Sequence, residues 1–149
     1  MSLQVRCVRF DELPTRLAYD VWRLRQQVFV VEQHCAYPDL DGRDLEAATR
    51  HVLLLEDDRL VGCLRVLDDG DRARIGRVVV APDARGRGLA HRLMERALEE
   101  CGDRDVHLDA QTGMTGLYRG YGFEVNGPEF DDDGVMHVPM ARSGTPSRP

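Results

Sequence analysis

Residues 75–90 restrict the fold more than any other part of this sequence. They run from an apolar stretch typical of a strand, through Pro82 and a glycine-rich loop, into a helical pattern that begins at Leu89. The first turn of a helix leaves backbone N–H groups without partners, and the helix dipole adds partial positive charge there. Gly86 and Gly88 allow the backbone to approach a ligand closely. The segment predicts a strand–loop–helix unit that binds an anion, with a diphosphate as the expected group.

The other hydrophobic patterns predict a sheet whose strands are interrupted by two long helices. A first helix, capped by Asp11, is expected to end near Phe29, and a second to cover 89–101. Strands are predicted at 3–10, 51–56, 60–67, 73–80, 106–110, 123–125 and 135–140, with a short helical turn at 115–119. This order predicts an α/β (α+β) fold with a central mixed sheet of about six or seven strands and helices on both faces.

Composition restricts the class of protein and its partners. The chain has 149 residues, of which 42% are hydrophobic and 31% charged, so we expect one folded domain over 1–142 and a disordered tail over 143–149. The net charge of −6 does not suit a nucleic-acid partner, because phosphates require a basic face. No segment has the length of a membrane span and the first residues are too polar for a signal peptide, so no membrane partner and a cytoplasmic location are expected.

Cysteine and acidic residues lack the spacing of metal ligands. Cys7, Cys35, Cys63 and Cys101 lie far apart in the sequence, and the acidic segment 37–48 lacks the ligand order of a calcium loop. No metal site is therefore expected. All 20 basic residues are arginines, so phosphate contacts must come from arginine side chains or backbone N–H groups.

Three interpretations of residues 75–90 are open. In the first, the glycines are incidental to a helix start. The pattern Gly86-x-Gly88, with Asp109 about twenty residues downstream, also suggests a dinucleotide fingerprint, but its third glycine is replaced by His91 and no βαβ unit precedes it. Thirdly, Arg85-x-x-Gly88-x-Ala90 resembles the acetyl-CoA signature of the GNAT N-acetyltransferase superfamily, Gln/Arg-x-x-Gly-x-Gly/Ala.

A second motif strengthens the GNAT resemblance. The run Leu-Tyr-Arg-Gly-Tyr-Gly-Phe at 117–123 resembles the superfamily's Tyr-x-x-x-Gly-Phe, and segments 24–33, 37–45, 50–51 and 75–78 look like its ElaA-type branch. The resemblance covers about 19–140. It implies a GNAT-like sheet, acetyl-CoA as cosubstrate and transfer of acetyl to a primary amine of a small molecule or peptide, by direct attack in a ternary complex. Homodimers are frequent among such proteins, so a homodimer is also open.

The resemblance implies roles for individual residues. Backbone groups of Val78, Val79 and Val80 would hold the pantetheine arm and polarise the thioester carbonyl. Tyr118 would protonate the departing thiolate, although packing against neighbouring aromatic rings is the alternative. Gln111 stands where relatives often carry Asn and can still form hydrogen bonds. The pyrophosphate would bind at Arg85, Gly86, Arg87, Gly88, Leu89 and Ala90.

The general base and the acceptor side are less defined by the sequence. Glu32 and His51 are the candidate bases, with loop anchoring or a buried hydrogen bond as the alternative. The polar segment 28–49 is expected to form the acceptor side of the site. Arg25 and Arg77 lie in apolar surroundings, and we expect them to pair with nearby aspartates rather than with an acidic substrate group.

Two other functions are open from the sequence. The chain could be a non-catalytic acetyl-CoA sensor, which would bind the thioester without turnover. Arg25-x-x-Val28-Phe29 also resembles the start of acyl-homoserine-lactone synthases, although the tryptophan and acidic positions typical of those enzymes do not follow.

Overall fold

The computed structural model describes residues 2–144, so most of the predicted tail, 145–149, lies outside the described residues. The helices and strands are, in order, β1 (Leu3–Val8), α1 (Thr15–Arg25), β2 (Arg50–Glu56), β3 (Arg59–Asp68), β4 (Arg72–Val80), α2 (Leu89–Cys101), β5 (Asp105–Gln111), α3 (Thr115–Arg119), β6 (Glu124–Val125), β7 (Phe130–Asp132) and β8 (Val135–Arg142).

The strands form one mixed sheet in the order β1-β2-β3-β4-β5-β8-β6, with β7 also paired to β8. Only β4 and β5 run parallel among the described pairs, because α2 crosses over between them. The predicted mixed α/β sheet is confirmed, with one more strand than expected. The short strand β7 was missed because its polar residues Asp131 and Asp132 carry no apolar alternation.

Both faces of the central strands are covered. Every residue from Leu60 to Leu67 in β3 is buried, which requires a layer on each side of the sheet. The helices α1 and α2 supply these layers. On the α2 side, a Cβ at Gly62 would lie 3.2 Å from Leu93 Cδ1 and 3.0 Å from the Val79 carbonyl oxygen. The missing side chain lets α2 pack directly against β3, and this fixes the start of α2 next to the end of β4.

The first helix differs from its prediction at both ends. The α-helix begins at Thr15 with Pro14 at its N-cap, and Asp11 belongs to a separate short turn. After Arg25 the helix widens to a π-helical stretch, Gln26–Glu32. Two backbone hydrogen bonds between residues five apart show the widening. The Gln33 N–H donates to the Val28 carbonyl (3.2 Å), and the Cys35 N–H donates to the Val30 carbonyl (3.0 Å). Hydrophobic periodicity does not reveal such widening, which is frequent at functional sites.

No helix within residues 2–144 combines the length and hydropathy that a membrane span requires.

Candidate active site

A cleft of about 660 Å³ opens where β4 and β5 separate. The two strands pair over only three residues each, from Arg72 with Asp105 to Arg74 with His107. Beyond this point residues 74–80 of β4 line one side of the cleft, and Leu108, Asp109 and Gln111 of β5 line the other. The edge of β4 that faces β5 is therefore available to a ligand, because strand pairing does not occupy it there.

A β-bulge shapes the exposed part of β4. Between the pairs Cys63–Val79 and Arg65–Gly76, β4 has one residue more than β3. Arg77 takes up the extra length with a positive φ of 52°, a backbone conformation that non-glycine residues rarely adopt. The bulge lies next to Gly76, and Arg77 carries the backbone strain. Bulges redirect backbone groups and leave some of them unpaired, and here they lie on the cleft wall beside Val78.

The glycine-rich loop fits an anionic ligand. Gly86 and Gly88 have positive φ values of 79° and 71°, and a Cβ at Gly86 would meet no atom within 4 Å. Positions 86 and 88 therefore favour glycine because of their backbone conformation rather than because of crowding, and the space beside Gly86 is open. Gly88 has no side chain that could cap α2, and the His91 N–H already donates to the Gly88 carbonyl oxygen at 3.2 Å. The N–H groups of Leu89 and Ala90, at the start of this 13-residue helix, are available to a phosphate.

The two arginines of this loop behave differently. Arg85 lines the cleft and forms a two-point ion pair with Glu32, at 2.7 and 2.9 Å. Arg87 is not among the residues that line the cleft, and its guanidinium binds Glu56 at the end of β2, with one contact of 3.0 Å. Arg85, Gly86, Gly88, Leu89 and Ala90 are thus brought together, whereas Arg87 faces away in this structure.

Tyr118 and Gln111 both line the cleft. Tyr118 is 7% exposed and packs edge-on against Phe123, with ring centroids 6.2 Å apart. Burial raises the pKa of Tyr118 to about 12. The phenol therefore keeps its proton at neutral pH and can donate it, although transfer to a thiolate is more uphill than from an ordinary tyrosine.

The structure does not bring the two predicted bases together. Glu32 lies at the rim of the cleft, and its hydrogen bond with Arg85 lowers the pKa of its carboxyl group. His51 is 1% exposed, does not line the cleft, and its Nε2 lies 3.2 Å from the Asp44 carbonyl oxygen. Burial lowers the pKa of His51 despite this bond. Its placement corresponds to the alternative of a buried hydrogen bond rather than to a base.

A buried ion-pair network anchors the loop after α1 to the sheet. Arg25 binds Asp39 at 2.9 Å and Asp44 at 2.8 Å, and Arg77 binds Asp39 at 2.9 Å. The expected internal pairing of Arg25 and Arg77 is therefore seen in the structure. Its members are Arg25, Arg65, Arg77, Asp39, Asp41 and Asp44.

Arg65 is the member of this network that the sequence analysis missed. It lies in β3, is 4% exposed, and binds Asp41 and Asp44 at 2.6 and 3.2 Å. Burial alone would raise the pKa of Asp44, but the hydrogen bonds and positive charges of Arg25 and Arg65 outweigh it and lower that pKa. Asp44 therefore stays ionised at neutral pH, and the network fixes the loop after α1 against β3 and β4.

Asp132, Asp133 and His137 also line the cleft, although nothing in the sequence pattern placed them there. The β7–β8 hairpin contributes Asp132, Asp133 and His137, and β5 contributes Asp109, which binds Arg74 at 3.0 Å. The run Asp-Asp-Asp-Gly at 131–134 is typical of a hairpin turn and does not indicate what that turn faces. Within residues 2–144, no group of His, Cys, Asp and Glu side chains has the arrangement of a metal site. Only the pairing of β8 with β5 shows that this hairpin faces the cleft.

Comparison with known proteins supports the GNAT resemblance that the sequence motifs indicated. The model of an acetyltransferase (GNAT) domain matches residues 23–143. A UPF0039 protein of Mycobacterium tuberculosis is 46% identical, over 97% of this chain and 96% of the relative. Protein ElaA of Escherichia coli is 39% identical, over 89% of this chain and 91% of the relative.

Solved structures agree with these relatives in fold. The crystal structure of Escherichia coli ElaA has a TM-score of 0.89 at 36% identity, covering 95% of this chain and all (100%) of the other. An acyl-CoA N-acyltransferase from Pseudomonas aeruginosa also has a TM-score of 0.89, at 38% identity and with 95% and 100% coverage. The chain therefore belongs to the GNAT acetyltransferase family, in its ElaA-type branch.

Proposed function

We propose that this protein transfers the acetyl group of acetyl-CoA to a primary amine of a small molecule or peptide, by direct attack within a ternary complex. The observation that carries the proposal is the bulged, unpaired edge of β4, which runs directly towards the glycine-rich start of α2. An extended thioester ligand that ends in a diphosphate matches this combination of a strand edge and an anion site.

The chain's own groups can bind such a ligand without a metal ion. The N–H groups at Gly86–Ala90, with the side chain of Arg85, hold the diphosphate. The β4 backbone at Val78–Val80 holds the extended arm and directs an N–H group at the thioester oxygen, where negative charge develops. Acetyl-CoA supplies the activated acyl carbon. Tyr118 stays protonated and donates its proton to the departing sulfur.

The acceptor is proposed to enter from the opposite end of the cleft. That end is formed by the loop after the π-helical stretch and by the β7–β8 hairpin, which contribute Tyr37, Asp132 and Asp133. Asp132 and Asp133 are both exposed, and carboxylates attract a cationic ammonium group. Holding the amine and the thioester in one cleft converts a bimolecular reaction into a positioned one. This placement favours a cationic amine over a neutral or anionic acceptor.

Thermal shift and free-thiol release test the proposal in sequence. Acetyl-CoA at 100 times its dissociation constant should stabilise the fold by about 2.7 kcal/mol. A panel of amines (tyramine, putrescine, n-butylamine and a peptide with a free N-terminus) should then yield thiol and acetylated product. Tyr118→Phe should reduce kcat by about 10- to 1000-fold with little change in acetyl-CoA affinity. Binding without thiol release from any amine would support a sensor instead, and no shift at millimolar acetyl-CoA would refute both functions.

A further inference from the structure

His137 occupies a defined position on the wall of the cleft. It lies in β8, where its Cα is paired with that of Gln111 in β5 and with that of Phe130 in β7. Directly paired residues of neighbouring antiparallel strands present their side chains on the same face of the sheet. Gln111 and His137 both line the cleft. The imidazole is therefore placed beside the end of β5, in the part of the cleft assigned to the acceptor.

The hydrogen bonding of His137 determines its tautomer. Its Nδ1 lies 2.8 Å from the carbonyl oxygen of Val135, and a carbonyl oxygen can only accept a hydrogen bond. In the neutral ring the proton is therefore on Nδ1, and Nε2 carries the free lone pair. The ring also stacks on Phe130, with centroids 5.9 Å apart and an interplanar angle of 24°. Two contacts thus fix both the orientation of the imidazole and the nitrogen that can accept a proton.

Three other titratable groups of the cleft already have hydrogen-bond or ion-pair partners. Glu32 is bound by Arg85, and Asp109 is bound by Arg74. Cys35 donates to the Asp133 carbonyl at 2.8 Å. Within residues 2–144, no hydrogen bond involves Nε2 of His137. The titratable and charged groups that share the cleft with His137 are Glu32, Cys35, Tyr37, Arg65, Arg74, Arg77, Arg85, His91, Asp109, Tyr118, Asp132 and Asp133.

We infer that His137 is the general base of the reaction and takes a proton from the acceptor ammonium at Nε2. This inference rests on the proposed function. Once the nitrogen is free, its lone pair forms the N–C bond to the acyl carbon, and the C–S bond breaks with its electrons remaining on sulfur. Tyr118 protonates the sulfur, and the nitrogen loses its second proton as the amide forms. Solvent takes up the protons from His137 and the nitrogen and restores that of Tyr118, so the products are amide, thiol and one proton.

The kinetic test compares His137→Gln with wild type on an amine that the panel identifies. We expect kcat/KM for the amine to fall about 100- to 10,000-fold, and the decline of activity towards acidic pH to disappear from what remains. Acetyl-CoA affinity should change by less than about twofold, because binding does not require the base. Added imidazole should partly restore the activity of His137→Ala. The control is Arg16→Gln, which introduces the same new side chain at an exposed position of α1 outside the cleft.

The outcomes separate this inference from the proposed function. If His137→Gln keeps the wild-type kcat/KM and its pH profile, His137 is not the base although the enzyme remains an N-acetyltransferase. If the wild type binds acetyl-CoA but acetylates no amine, the proposed function fails and the assignment of a base fails with it. Nitrogen-15 NMR of the histidine rings tests the premise without any acceptor, because a neutral His137 protonated on Nε2 would overturn the inference.

Discussion

Arg25→Met tests the buried ion-pair network and keeps most of the volume of the side chain. Arg25 is 1% exposed and binds both Asp39 and Asp44. Its loss leaves two buried carboxylates with one cation fewer, and breaking a buried pair in this way costs about 3–5 kcal/mol. Asp39 still has Arg77 and Asp44 still has Arg65. We therefore expect the lower end, about 3 kcal/mol.

Urea denaturation at pH 7, followed by far-UV circular dichroism, measures this loss directly. In thermal denaturation, a loss of about 3 kcal/mol should lower Tm by about 6–12 °C, at about two to four degrees per kcal/mol. The matched control is Arg96→Met, which breaks the exposed pair with Glu100 at 3.1 Å and should cost only about 0.3–0.5 kcal/mol.

A double-mutant cycle separates charge from packing at the same site. Asp44→Asn should cost less free energy of unfolding in the Arg25→Met background than in wild type. In that background Asp44 has already lost its pair with Arg25, so removing its negative charge breaks one ion pair fewer. A loss below about 1 kcal/mol for Arg25→Met would refute the reasoning. So would equal costs of Asp44→Asn in both backgrounds.

The remaining predictions concern pH and the acetyl-CoA site. Asp44 and Asp69 have lowered pKa values in the folded state. For Asp69 the pKa is about 2, because hydrogen bonds from arginine and histidine side chains outweigh the effect of burial. Both carboxylates stabilise the fold above the unfolded pKa near 3.9, and this stability is lost as the pH falls towards the folded pKa. The free energy of unfolding should thus decrease between about pH 5 and pH 2, less steeply in Asp69→Asn, and a flat urea profile would contradict this. Gly88→Glu should abolish the acetyl-CoA thermal shift, because it adds bulk and negative charge beside the phosphates at a residue whose φ of 71° favours glycine. An undiminished shift would show that the diphosphate binds elsewhere. Glu32→Gln should tighten acetyl-CoA binding about two- to fivefold by calorimetry, because it frees Arg85 from an exposed ion pair, and weaker binding would show that the pair supports the site.

Several parts of the fold followed from local patterns. The second helix was predicted over 89–101 and is found at Leu89–Cys101, because its apolar stripe and the following glycine are both local signals. The strand before it was likewise predicted within one residue of its start. The Pro14 start and the π-helical end of the first helix were not predicted. Those features depend on how the chain packs against the sheet, which periodicity does not record.

The sequence by itself determined the family, the mixed sheet and the glycine-rich loop, because each depends on residues close together in the chain. Glycines at 86 and 88 limit the backbone regardless of what packs around them. The tertiary structure alone decided which polar residues share the cleft. His51 is buried away from it, whereas His137 reaches it because β8 pairs with β5 in the register of Gln111. Strand register and ion pairing join residues far apart in sequence, as Arg85 and Glu32 show, and one sequence has no local signal for such pairs.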